Sequence, residues 1–441
     1  MITREIISGI ATSTSRPGSG PVIGIDLGDE FSLVGYVYSG EEEPQTASEL
    51  PGEEHYAIPT VIGKKKGENL WSFGTAAVNA KKSGEGECVG NLLTRAKEGN
   101  ATPVDGRDYD PTDLLSLFLK KCIGLLAVTA PVEKVEAFVI TVADASAETL
   151  EVLRNAVATL RIKPEKVYYQ SYSESAYQYM LRQPQELFVH DVLILSLDKN
   201  GVFARTLRKN THTTPVVVLM EEHLFENLKE DNFVAMPEGK KARMDQELYQ
   251  ILFKLMDGKY ISAIYLIGDG FDGDWYPDSV KYMVRRSARV FRGNNLFVKG
   301  ACYGAKEKLG FVKDGPRTVF LGKDKVKANV GMRAVKEGEE AYLALLDAGG
   351  NWYETARETD LILDRVDTLD FVITPLDGKN TWTAQIFLTG MPLRPAKATR
   401  VHLEMRMRSE RKLYIKVTDL GFGEFFPATN EEWEAEVILD S

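Results

Sequence analysis

Four apolar runs constrain this chain more than any other feature. They are Val22-Ile23-Gly24-Ile25-Asp26-Leu27, Ala137-Phe138-Val139-Ile140-Thr141-Val142, Val192-Leu193-Ile194-Leu195-Ser196-Leu197 and Ala263-Ile264-Tyr265-Leu266-Ile267. Each has strand length and reads as an apolar, buried strand. Between them lie helical patterns, expected over Pro111 to about Leu126, Ser146/Thr149 to about Leu160, Ser173 to Arg182 and Asp245 to Met256. Apolar strands alternating with helices predict a layered α/β domain. The first run continues through a Gly28-Asp29 turn into Phe31–Val37, which predicts a hairpin with Gly28 at positive φ. Val192–Leu197 is expected to pair with Val202–Leu207 in the same way.

After about Lys313 the texture changes. Short alternating runs, separated by turns such as Ala348-Gly349-Gly350-Asn351 and Ser409-Glu410-Arg411, predict an all-β sandwich. The expected division is a flexible lead-in over 1–20, one lobe over 21–165, a second over 166–313 and the sandwich over 314–441, with no internal repeats.

Lysine plus arginine number 54 against 64 acidic residues, a net charge of −10, which argues against nucleic acid or an anionic membrane as partner. No apolar segment reaches the roughly 18–20 residues of a membrane span, and no secretory h-region follows Arg4. Three distant cysteines, Cys88, Cys122 and Cys302, fit a reducing, cytoplasmic setting. Walker A, HExxH, GxSxG and zinc spacings are absent, and the five histidines are scattered. The acidic loop Asp269, Asp272, Asp274 and Asp278 lacks EF-hand spacing and reads as a solvated turn, with no metal expected. Arg285, Arg286, Arg289 and Arg292 read as a basic stripe on a solvated helix face.

Gly24-Ile25-Asp26-Leu27-Gly28, a strand ending in a tight turn, resembles the first phosphate loop of actin-like and heat-shock-chaperone ATPases. Further segments follow in that family's order. Ala57–Val61 and Phe73–Ala77 resemble its IPS and GDAA segments. Val192–Leu207 falls at its second phosphate loop. Ile264–Gly270 resembles its adenosine motif, and Val298–Ala305 its closing helix. Phe387–Pro395, Val401–Met405 and Leu413–Asp419 are similar to its substrate-binding sandwich. The chain thus resembles a divergent heat shock protein 70 (DnaK-like) superfamily member over about residues 21–435. The resemblance implies a two-lobed actin-like ATPase fold followed by a substrate-binding-like sandwich. It places a vestigial nucleotide cleft at Asp26, Gly28, Asp29, Glu30, Ser196, Asp198, Lys199, Gly268, Asp269 and Gly270.

Departures from the family pattern set the functional expectation. Asp29 and Glu30 stand where small hydroxyl residues are usual, and Asp198-Lys199-Asn200-Gly201 replaces a glycine run. Val78 replaces the catalytic lysine, Ser171 the glutamate that places water, and Ala143 the lobe-coupling proline. Glycine loops bind phosphate because backbone N–H groups can close on the anion, and side chains at Lys199 and Asn200 obstruct that. Each added like-charge pair at ~4 Å costs about 1 kcal/mol in water and about 4 at a dielectric of 20. Ser196 to Gly268 is too short for the family's adenine-clamping subdomain. No counterpart of the helical lid is expected after the sandwich, and the apolar interdomain linker is expected to be reduced to Thr318–Leu321. The expected function is therefore non-hydrolysing: a chaperone-like module that binds protein or extended peptide, or scaffolds, without a cofactor. A slow ATPase or nucleotide sensor using ATP and magnesium is the alternative. The carboxylates of Asp26, Asp29, Glu30, Asp198 and Asp269 crowd one cleft, which a divalent cation, Lys199 as internal counterion or a raised pKa on one acid would relieve, and Lys199 is the favoured expectation.

Overall fold

The computed structural model describes residues 20–439 except 39, 51, 127–133, 231–232, 234, 287, 312–317, 337 and 377–378. The lead-in expected over 1–20, Gly20 apart, and the boundary expected near 313–316 lie outside them. By compactness the chain forms two units. The first runs to Lys209 and resumes at Met220; the second takes Asn210–Leu219 and the residues after 315.

The first unit opens with β1 (Val22–Leu27), β2 (Phe31–Val37) and β3 (Gln45–Ala47). An insertion follows: β4 (Ile58–Pro59), β5 (Ile62–Lys65), β6 (Trp71–Phe73), α1 (Gly74–Lys82), β7 (Gly86–Val89), α2 (Leu92–Glu98), β8 (Thr102–Val104) and β9 (Arg107–Tyr109). Then come α3 (Pro111–Gly124), β10 (Ala137–Val142), α4 (Ala147–Ala158), β11 (Val167–Ser171) and α5 (Tyr172–Met180). Pro111 occupies the first turn of α3, where its missing N–H is harmless, and the Asp110 side chain caps it by accepting from Thr112 N. Every residue of β1 and of β10 is buried, because helices cover the sheet.

Next are β12 (Asp191–Asp198), β13 (Gly201–Asn210), β14 (Val216–Phe225), α6 (Glu238–Met256), β15 (Ile261–Ile267), α7 (Pro277–Arg285), β16 (Arg289–Arg292) and α8 (Leu296–Lys308). The first sheet has the order β11-β10-β1-β2-β3 and the second contains β16-β15-β12-β13-β14. In each, the first two strands pair antiparallel and the first pairs parallel with a later strand reached through a helix. A parallel outer strand follows in both. The architecture is duplicated although the sequence shows no repeat. β11 and α5 belong to the first half, so the lobe division expected at 165/166 moves past α5. The reason is that β11 pairs with β10 as the product of a parallel crossover through α4.

The two halves lock through helices. α8 packs on β1, β2 and β10 of the first sheet and against α5. The approach is close enough to demand glycine. A Cβ on Gly24 would lie 2.8 Å from Cys302 Sγ, and one on Gly300 would lie 1.9 Å from the Ser175 carbonyl oxygen.

The second unit is an all-β region of two antiparallel sheets. After β17 (Thr318–Leu321) it contains β18 (Ala328–Lys336), β19 (Glu339–Leu346), β20 (Ala356–Leu363), β21 (Thr368–Pro375), β22 (Trp382–Phe387), β23 (Thr399–Met407), β24 (Lys412–Gly421) and β25 (Glu432–Ile438). The orders are β19-β18-β21-β22 and β20-β23-β24-β25. One core holds Val330, Phe371 and Ile373 of one sheet with Leu403, Ile415 and Val417 of the other, so the sheets face each other. Thr318–Leu321, expected to be a reduced linker, is strand β17, paired parallel with Val216–Leu219. Its apolar residues are taken up by a sheet rather than exposed between domains. Arg394 forms a bidentate pair with Asp419 at 2.6 and 2.7 Å, with both side chains buried. That ion pair, with hydrogen bonds from Thr429 and Gly421, holds the Asp419 carboxyl far below its usual pKa. Among the described residues no helix is long and apolar enough to cross a membrane.

The glycine contact gives a direct test. Gly300→Ala inserts a methyl group into backbone and should destabilise the first unit by about 3 kcal/mol or more. Gly239→Ala, in a first helical turn with nothing near its Cβ, should be neutral or mildly stabilising. Urea denaturation of both variants is the measurement; equal stabilities would contradict the close-approach account.

Candidate functional site

β1 places Asp26 at its penultimate position, 5 % exposed. Tyr172, the first residue of α5, donates its hydroxyl to Asp26 Oδ1 at 2.6 Å. The Tyr172 ring stacks on Phe297 of α8, centroids 4.2 Å apart and planes 4° from parallel. Against this pair lies the guanidinium of Arg205, on β13 and 3 % exposed. Its Cζ is 4.1 Å from the Phe203 ring centre, 5.3 Å from that of Phe297 and 5.5 Å from that of Tyr172. Arg205 Nε stands 3.4 Å from Glu222 on β14, and its Nη1 donates to Ser196 Oγ at 3.4 Å. Glu222 also accepts from the Ser173 hydroxyl of α5. The cluster therefore joins β1, α5 and α8 to β12, β13 and β14.

Burial governs its electrostatics. Desolvation raises Asp26 to about 7, opposed by the Tyr172 hydrogen bond and the Arg205 charge. It pushes the Tyr172 phenol well above its ordinary value, with Asp26 adding to the rise. It also lowers Arg205, opposed by Glu222. A guanidinium still keeps its proton, so the cluster holds a permanent buried cation.

Around this interior the expected site residues separate. Glu30 and Lys199 form an ion pair linking the β1–β2 and β12–β13 turns, both side chains about half exposed. Burial raises the pKa of Asp269, beyond β15, and the charges of Asp272 and Glu30 add to the rise. Asp29 turns to α2, accepting from Thr94 N at 3.1 Å and from Thr94 Oγ1 at 2.6 Å. Asp198 closes its own turn by accepting from Asn200 N at 2.7 Å. Lys199 thus neutralises Glu30 at the surface, whereas the cation facing Asp26 is Arg205.

Gly28 does not take positive φ. Its requirement is space, since a Cβ would lie 2.7 Å from the Phe31 carbonyl oxygen. Gly268 does have φ +98° and its N–H donates to Asn294 Oδ1 at 2.8 Å; Gly270 lies hard against Leu197. Ser171 is the N-cap of α5, accepting from Glu174 N at 3.3 Å, and Val78 is half-buried on α1. The expected basic helix stripe is broken. Arg285 ends α7, whereas Arg289 and Arg292 lie on β16; the strand's period replaces the helix's. Among the described residues no group of three or more His, Cys, Asp or Glu is arranged to hold a metal ion.

Arg205, Tyr172, Ser173, Glu222 and Phe297 went unnoticed in the sequence. The available signal was a lone arginine inside the apolar run Val202-Phe203-Ala204-Arg205-Thr206-Leu207.

Residues 43–323 match the family described as "Family of unknown function (DUF5716) C-terminal". The chain belongs to that family. Residues 325–439 match a domain of unknown function (DUF8552). No curated protein matches the chain. The DUF5716 match holds Arg205, Tyr172, Glu222 and Phe297, whereas Asp26 precedes it.

Asp26 makes stability depend on pH. Its carboxyl has a pKa of about 7 in the fold against 3.8 unfolded. Between those values the native state binds more protons, so this contribution is complete below about pH 4 and is lost as pH rises through about 7. The full term is on the order of 4 kcal/mol. Asp26→Asn should flatten denaturation stability across that window and raise it above neutrality; an unaltered slope would exclude Asp26 as its source. Arg205→Met, which leaves Glu222 without its buried cation, should destabilise by about 3 kcal/mol in the same assay.

Proposed function

We propose that the first unit is an actin-like ATPase fold of the DnaK-like type that hydrolyses no nucleotide, and that the protein works as a protein- or peptide-binding or scaffolding module. The fold assignment is supported by the two sheets of matching strand order and sense, and by α5 and α8 packing against each other. Between β14 and β15 there is one described helix, α6, where the ATPases carry an adenine-clamping subdomain.

The observation that carries the functional proposal is Arg205. In an ATPase of this fold, the turns after β1 and β12 would wrap phosphates. Here the β1–β2 and β12–β13 turns are tied by Glu30 and Lys199. Behind them a buried guanidinium is held among Phe203, Tyr172 and Phe297 with Glu222 and Asp26 nearby. A fixed internal cation balances the carboxylates that a ligand's magnesium would otherwise meet, and the aromatic rings fill the space around it. Attack by water would further need a positioned base and a charge stabiliser; Ser171 is committed to capping α5 and Val78 carries no charge.

Calorimetry and thermal melts with ATP or ADP and magnesium test this. At about 5 mM nucleotide even a millimolar Kd would add about 1 kcal/mol to stability. The expected outcome is no heat of binding and an unchanged melting midpoint. Magnesium-dependent phosphate release that Asp26→Ala abolishes would establish the ATPase instead.

A further inference from the structure

α6 and α7 are fixed side by side at two points. The buried Asp245 carboxylate of α6 accepts from the backbone N–H groups of Asp278 and Ser279, at 2.8 and 2.9 Å, and so caps α7 from another helix. Eight residues on from that cap, Arg286 donates to the Met256 carbonyl at the end of α6, at 2.8 Å. Between these ties runs a groove of about 540 Å³. Ala242, Gln246 and Tyr249 form one wall, and Asp278, Lys281, Tyr282 and Arg285 the other. The Tyr249 and Tyr282 rings meet at 4.7 Å, and Phe253, 48 % exposed, lies 6.4 Å from Tyr282.

We propose that this groove docks an acidic, amphipathic α-helix of a partner protein, seated on Tyr249, Tyr282 and Phe253 with a carboxylate on Arg285. Three features select that occupant. The lining positions advance by three or four residues over two turns on each wall, the spacing at which a third helix sets its own side chains. Both walls are helices whose backbone groups are already bonded within them, so an extended peptide would find no strand edge to pair with, whereas a helix satisfies its own backbone. The charge is complementary. Asp278 is paired with Lys281 at 2.9 Å, while Arg285 is exposed and unpaired among the described residues. With Asp278 and Lys281 offsetting each other, Arg285 leaves the lining a net charge of +1, which on a chain of net charge −10 favours an anionic partner over a basic one. The ties through Asp245 and Arg286 mean that the groove exists before the partner arrives, so little ordering opposes docking. This proposal stands on α6 and α7 alone and does not depend on whether the first unit binds nucleotide.

The test uses the whole chain and a displayed library of helix-forming peptides of about four turns. Selected peptides are compared on the wild type and on Arg285→Glu, an exposed substitution whose folding is checked by its melting midpoint. A photo-crosslinking residue at position 246 locates the bound peptide. Expected are sequences with apolar residues at helical spacing and net negative charge that crosslink from position 246. They should bind Arg285→Glu about tenfold more weakly, equivalent to about 1.4 kcal/mol, and recover when a peptide glutamate is changed to lysine. Basic or uncharged winners, equal binding to Arg285→Glu, crosslinking elsewhere, or a library that yields no binder would each overturn the proposal.

Discussion

A guanidinium taken out of water must find its compensation inside the protein, and in the first unit that burden falls on Arg205. Its desolvation is offset by a carboxylate on β14, a hydroxyl on β12 and the faces of three rings. Those partners come from both halves of the duplicated architecture, so the cation specifies how the halves meet. An apolar core could slide by a rotamer with small loss; a buried charge with directional partners cannot. Asp26 completes the arrangement from the other side, held by Tyr172 in a setting where burial outweighs the pull of the nearby positive charge.

Much of the scaffold was legible because apolar burial leaves a local mark. β1, β10, β12 and β15 were visible as apolar runs, and the hairpins that begin each half were visible from the turns between them. The duplication leaves no internal sequence repeat, since it resides in strand order and sense, which two unrelated sequences can share; two related sheets were expected only from the resemblance to a two-lobed fold. The basic stripe failed for a related reason. Four arginines spaced for one helix are divided between the end of α7 and β16, and spacing alone does not locate a helix end.

The site was legible only where chemistry and position coincide. Asp26 stands out as a carboxylate within an apolar strand. Lys199 was singled out because it adjoins Asp198, and the structure pairs it with Glu30, one of the carboxylates expected for it, at the surface, where solvent screens the pair. The energetically consequential cation lies six residues further along, on β13. Tyr172 and Asp26 are 146 positions apart, and no local pattern announces such a contact.

The seat of α8 on β1, β2 and β10 has a consequence for how the protein is made. Gly24 and Cys302 touch, yet the ribosome delivers them about 280 residues apart, roughly 15–55 s at ordinary rates of synthesis. For the later part of that interval, once β10 and β11 have emerged, all strands of the first sheet are present without the helix that covers one of its faces. Its apolar surface must be shielded by transient contacts or by cellular holding factors until α8 emerges, and a stall anywhere in the second half would leave that face bare.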